Sequence, residues 1–119
     1  MPPIPMATKT DSPILRIEDL RVGFNMRQGM FDVLEDVGME LHRGRTTCVV
    51  GESGSGKSVT ARSILNMVPR PGVINGGRIM FQPDLAIAPI DLTKLDPRGK
   101  PIRDIRGGRI GMIFQEYAL

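Results

Sequence analysis

Between Ile14 and Phe24 apolar and polar residues partly alternate, with Leu15, Ile17 and Val22 apolar. This period of two predicts one or two strands with one wet face. A loop is expected from Asn25 to Gly29. Val37, Met39 and Leu41 then fall on one side of the run Val33–Leu41, a further strand, and His42–Arg45 reads as a turn. Thr46-Thr47-Cys48-Val49-Val50 is short and β-rich, and its apolar end predicts a strand buried on both faces. The period changes after residue 58. Ala61, Ile64, Leu65 and Val68 stand at i, i+3, i+4 and i+7, a helical stripe that Pro69 stops and Pro71-Gly72 separates from the next segment. Gly76–Phe81 is strand-like. Residues 82–101 form a Pro-interrupted connection with a helical turn near Leu92–Leu95, and Arg109–Phe114 repeats the buried-strand pattern. No internal repeat is found.

Composition narrows the class. The 119 residues are 40% apolar and 24% charged, the mix of one globular domain rather than of a disordered segment. No stretch approaches the roughly 18 to 20 apolar residues of a membrane span, so direct membrane insertion is not expected. The first 13 residues hold Pro2, Pro3, Pro5 and Pro13 and lack a basic start followed by an apolar run. They are expected to be a disordered tail, with the folded unit running from 14 to 119. A single cysteine, Cys48, excludes an internal disulfide and fits a reducing cytosol. The net charge of +3 gives no reason to expect a nucleic-acid partner. Six basic residues between Lys94 and Arg109, against Asp96 and Asp104, read as a solvated face. Glycine and proline are abundant, at 14 and 10.

One motif carries chemistry. Gly51-Glu52-Ser53-Gly54-Ser55-Gly56-Lys57-Ser58 is G-x-x-x-x-G-K-S, lying between an expected buried strand and an expected helix. Glycines at 51, 54 and 56 let the backbone wrap so that successive N–H groups point inward as an anion cradle. The helix opening at Lys57 adds its positive end. Lys57 supplies a full charge to the β- and γ-phosphates, and the Ser58 hydroxyl is a hard oxygen ligand for Mg²⁺.

With its flanks, this motif resembles the N-terminal part of an ABC transporter ATP-binding subunit. The strings that carry the likeness are Val33-Leu34-Glu35-Asp36-Val37, Leu41-His42-Arg43-Gly44-Arg45 and Val49–Ser58. Ile74-Asn75-Gly76-Gly77-Arg78-Ile79 and Ile105–Glu116 are similar to the oligopeptide/dipeptide/nickel importer branch. The resemblance implies an α/β fold: the start of a P-loop NTPase (RecA-like) core with an N-terminal antiparallel β-subdomain, incomplete here. It implies ATP and Mg²⁺ as cofactors and Phe24 as the aromatic that stacks on adenine, with Phe31 as a rival. Gln115 matches the Q-loop glutamine, which touches Mg²⁺ or the attacking water, while Glu116 reads as loop. A second ATP-binding subunit, identical or not, and transmembrane permease subunits are the implied partners, on the cytoplasmic face of the inner membrane. The continuation Tyr117-Ala118-Leu119 and the long stretch Ala88–Pro101 depart from the branch.

The family's Leu-Ser-Gly-Gly-Gln signature, Walker B aspartate, catalytic glutamate and switch histidine do not occur in these 119 residues. His42 precedes the loop and reads as a surface histidine. The expected function is therefore ATP binding in the service of a peptide importer, without hydrolysis by this chain alone. The alternatives are a non-catalytic nucleotide-binding or assembly fragment, and a P-loop kinase or GTPase. Against the kinase and the GTPase stand the roughly 45 residues of strand-like text before Thr46, room for an antiparallel sheet.

Overall fold

The computed structural model describes residues 12–51 and 56–113. Its centre is an antiparallel sheet of four strands in the order β2-β1-β3-β4, where β1 is Pro13–Met26, β2 is Gly29–His42, β3 is Gly72–Phe81 and β4 is Ile90–Asp91. Strands β1 and β2 are a long hairpin turned at Arg27-Gln28. The expected strands at 14–24, 33–41 and 76–81 are all present, each longer than its alternating text. β3 starts at Gly72, four residues before the glycine turn that was expected to open it.

Alternation along β1 and β2 is imperfect because the ladder is bulged. Beyond one at the strand start, between Pro13 and Leu15, register shifts fall between Ile17 and Leu20, between Leu20 and Val22, and between Val22 and Gly23. Each extra residue resets which side chains face inward. Asp19 (φ 49°) and Asp36 (φ 50°) sit at two of the shifts. Gly77 (φ 80°) crosses the first: a Cβ there would run into the Asp19 carbonyl, so only glycine lets β3 approach the bulged β1. At the third shift Val22 pairs with Leu34 and Gly23 with Asp32, leaving Val33 as the additional residue.

Leu15, Ile17, Leu20 and Val22 of β1, Leu34 of β2, and Ile79 and Phe81 of β3 form one buried apolar face. Val37, Met39 and Leu41 pack beside them as their spacing predicted. Helix α1 (Lys57–Ile64) and the following Leu65 cover part of this face, with Ile64, Met67 and Val68 half-buried against it. Of the expected helical stripe, Ile64, Leu65 and Val68 do pack on the sheet, but the helix closes before Leu65 and the chain reverses at Asn66 (φ 54°), so Leu65 and Val68 are not helical.

The connection after β3 holds more structure than its prolines suggested. Beyond β4, Asp91 accepts from the Thr93 backbone N–H at 3.0 Å and the Thr93 hydroxyl at 2.7 Å, capping the 3-10 turn Leu92–Lys94 where a helical turn was expected. That turn buries Leu92 completely. Helix α2 (Lys100–Ile105) was not foreseen. Pro101 lies in its first turn, where a missing N–H costs nothing, and Ile102 and Ile105 are buried.

Two expectations are overturned. Residues 46–50 do not form a buried strand: they carry no regular structure, Cys48 is exposed and Val50 is 92% exposed. The described part of 109–114 is no buried strand either. It makes one isolated bridge, Arg106 to Ile110, and Ile113 is 99% exposed. A strand exists only where a neighbour completes its ladder, and none of the described strands runs beside either segment. Of the expected tail, residues 1–11 lie outside the described residues, whereas Pro13 pairs with His42 as the first residue of β1. No helix among the described residues is long and apolar enough to cross a membrane.

Candidate phosphate-binding site

The site begins where α1 begins. Gly56 caps the helix with φ 95° and ψ 3°, a left-handed conformation that L-residues rarely hold. Its carbonyl accepts the Thr60 backbone N–H at 2.9 Å and the Thr60 hydroxyl at 2.8 Å, which closes the first turn. Gly56 makes no side-chain cap, and α1 holds no acidic residue. The first N–H groups of a helix have no i−4 carbonyl within it, and its positive end favours an anion.

Lys57 and Ser58 are the first two residues of α1. The Lys57 ammonium donates to the Gly51 carbonyl, joining the two ends of the loop. Ser58 is exposed. Of the expected phosphate contacts, the structure therefore brings together Gly51, Gly56, Lys57 and Ser58. Glu52, Ser53, Gly54 and Ser55 lie outside the described residues, as does Gln115. The fit to a phosphate group is good: a glycine-capped helix start without acids, a lysine already drawn across the loop onto a carbonyl oxygen, and an exposed hydroxyl beside it. Among the described residues no cluster of three or more His, Cys, Asp or Glu could hold a metal by itself. Mg²⁺ at Ser58 would need oxygen ligands from a bound phosphate.

Two buttresses were not visible in the sequence. Leu34 is one: a Cβ on Gly56 would lie 2.6 Å from its Cδ2, so the loop's last glycine rests directly on this buried leucine. The other is Arg106. Its Nε and Nη2 donate to the Leu65 carbonyl at 3.0 and 2.9 Å, and Nη2 also reaches the Asn66 carbonyl at 3.2 Å. A forked cation thereby satisfies the carbonyls just past the end of α1, where the helix dipole favours positive charge. Part of the supposed solvated basic face is consequently structural. Lys100 pairs with Asp104 at 2.8 Å, which raises its pKa above the ordinary lysine value through the hydrogen bond and then through charge. His42 is half-buried beside Glu40, 3.2 Å away.

Phe24 stands near the hairpin tip, directly opposite Phe31 on β2 and Gly72 on β3. Phe24 is half-buried and Phe31 is 66% exposed.

The profile of the ABC transporter family matches residues 34–119, most of the chain. The chain belongs to the ABC transporter family. An uncharacterized ABC transporter ATP-binding protein of Escherichia coli (strain K12), YejF, is 43% identical over 104 residues, covering 87% of this chain and 18% of YejF. The oligopeptide transport ATP-binding protein OppD of Bacillus subtilis (strain 168) is 38% identical over 104 residues, covering 87% of this chain and 27% of its own. A putative peptide import ATP-binding protein of Brucella abortus (strain 2308) is 42% identical over 105 residues, 87% of this chain and 30% of its own. This ABC transporter chain thus spans 18% to 30% of the length of these relatives. The fold class is that of the P-loop NTPases, represented here by the antiparallel subdomain and the loop helix.

Proposed function

We propose that this chain binds MgATP as part of the ATP-binding subunit of a peptide importer. The observation that carries the reading is the start of α1: a left-handed glycine cap on Leu34, with Lys57 drawn across to Gly51. The names of the relatives, oligopeptide transport and peptide import ATP-binding proteins, support the transport role.

In this reading the phosphate oxygens take over the Lys57 ammonium from the Gly51 carbonyl, so that a loop contact is exchanged for a charge-assisted one. The first-turn N–H groups and the loop backbone at 51–56 hold the remaining oxygens. Ser58 offers its hydroxyl to Mg²⁺, which neutralises phosphate charge when bound. Gln115 is the further magnesium contact, Glu52 to Ser55 complete the cradle, and Phe24 carries the adenine. Such a subunit works beside a second ATP-binding subunit and permease subunits, on the cytoplasmic face of the membrane. The chain binds nucleotide without turning it over.

Calorimetry with MgATP and turnover assays on the chain and its Lys57→Ala variant test this. Binding that Lys57→Ala abolishes, with no turnover, is expected. Equal affinity in both proteins would refute the phosphate reading, and turnover abolished by Lys57→Ala would refute the absence of hydrolysis.

A further inference from the structure

Strand β4 pairs with β3 only at Met80 and Phe81, and the chain then leaves the sheet in the 3-10 turn Leu92–Lys94. The Asp91 carboxylate that caps this turn also accepts the Ile79 backbone N–H at 3.3 Å, so the pairing ends at a side chain. From there Gly72–Arg78 have β1 on one side and, among the described residues, no strand on the other. An unpaired edge of this kind is a template for a further strand.

Where β4 stops, a groove of about 560 Å³ opens between Gly72–Ile74 on β3 and the chain after the 3-10 turn. Half-buried Val68, Ile74 and Leu95 give it an apolar lining. Arg70 and Arg98 also line it; both are exposed, and neither guanidinium forms a hydrogen bond or ion pair among the described residues. The one acid among the lining residues, Asp96, already accepts the Arg98 backbone N–H at 3.0 Å. The groove therefore has an excess of positive charge. The opposite edge of the sheet has the reverse character, since β2 carries Asp32, Glu35, Asp36 and Glu40 and no lysine or arginine. An acidic strand is repelled at β2 and attracted at β3.

We propose that this groove is a docking site for an extended acidic segment of a partner protein. The segment adds to β3 as the strand that β4 does not supply, sets an apolar side chain against Ile74 and Leu95, and brings its carboxylates to Arg70 and Arg98. Main-chain hydrogen bonds give such a contact its affinity, and the alternate side chains give it selectivity. Gly51, Gly56, Lys57 and Ser58 do not line the groove, so the inference stands apart from the nucleotide reading.

The whole chain supplies the test, with a fluorescein-labelled, end-blocked peptide of alternating valine and glutamate as the probe. Its anisotropy should rise with added protein, and the same peptide with lysine in place of glutamate should stay unbound. Arg70→Gln and Arg98→Gln should each weaken binding roughly 2- to 5-fold. Arg109→Gln, which removes an exposed cation outside the groove, should leave binding unchanged. Methylating alternate peptide amides separates strand addition from charge attraction. One alternate set should abolish binding and the other should spare it, because a strand turns only every second N–H toward one neighbour. Equal behaviour of the two methylated forms would overturn the added strand. Failure of the glutamate peptide to bind, equal binding of the lysine peptide, or a loss in Arg109→Gln as large as in the groove variants would overturn the site. Both groove arginines are exposed, so their replacement spares the fold, which circular dichroism would verify.

Discussion

Replacing Gly56 by alanine probes the contact between the phosphate loop and the sheet. Two costs arise. The left-handed backbone (φ 95°) costs an L-residue about 1–2 kcal/mol. The new methyl would also lie 2.6 Å from Leu34 Cδ2, on a side chain only 4% exposed and hence with little room to yield. Overpacking of that kind costs about 1–3 kcal/mol. The sum is a loss of about 2–5 kcal/mol, together with a displaced start to α1. The two costs separate in a second background. Leu34→Val removes the Cδ atoms and about one methylene of burial, near 0.8 kcal/mol. The new methyl then has space, so Gly56→Ala in the Leu34→Val chain should cost only the backbone part. Urea unfolding of the wild type, both single variants and the double variant gives the coupling, expected at about 1–3 kcal/mol in the relieving direction. Additivity within about 0.5 kcal/mol would refute the claim that Leu34 buttresses the loop glycine.

Arg106→Gln should destabilise the chain by about 1.5–3 kcal/mol in urea, since charged hydrogen bonds to the Leu65 and Asn66 carbonyls are lost. Arg106→Lys should recover only part, because a point charge cannot reproduce the fork; full recovery would show that the fork geometry is immaterial. Lys100 should titrate above the ordinary lysine value because of Asp104, and Asp104→Asn should bring it down, as followed by NMR. Since the folded pKa is raised, the pair's contribution to stability is complete below the unfolded lysine pKa and is lost as pH rises through the folded value. Identical titration of Lys100 in both proteins would exclude the ion pair.

The residue pattern exposed most of the sheet because β1, β2 and β3 each bury one face, and an alternating text records that directly. The loop was legible for a different reason. Two glycines, a lysine and a serine at fixed spacing answer one chemical need, and the spacing survives in any tertiary context. The buried strands expected at 46–50 and 109–114 were misread from the same kind of text. Val49-Val50 and Ile110–Ile113 are apolar, but composition does not specify which strand lies alongside. Helix α2 was missed because Pro97 and Pro101 obscured a six-residue helix whose only apolar pair is Ile102 and Ile105. Arg106 was grouped with its basic neighbours, since nothing local distinguishes a cation bonded to carbonyls 40 residues away from one in water.

Short-range pattern was enough for the phosphate chemistry, the strands at 14–24, 33–41 and 76–81, and the family likeness. Three relations needed the folded chain: a bulge at Val33 puts Phe31 on the side of Leu34, Leu34 supports Gly56, and Arg106 secures the far end of the loop helix. They depend on strand register and on contacts between residues tens of positions apart. A one-residue shift in register reverses a side chain's face while leaving the text around it unchanged.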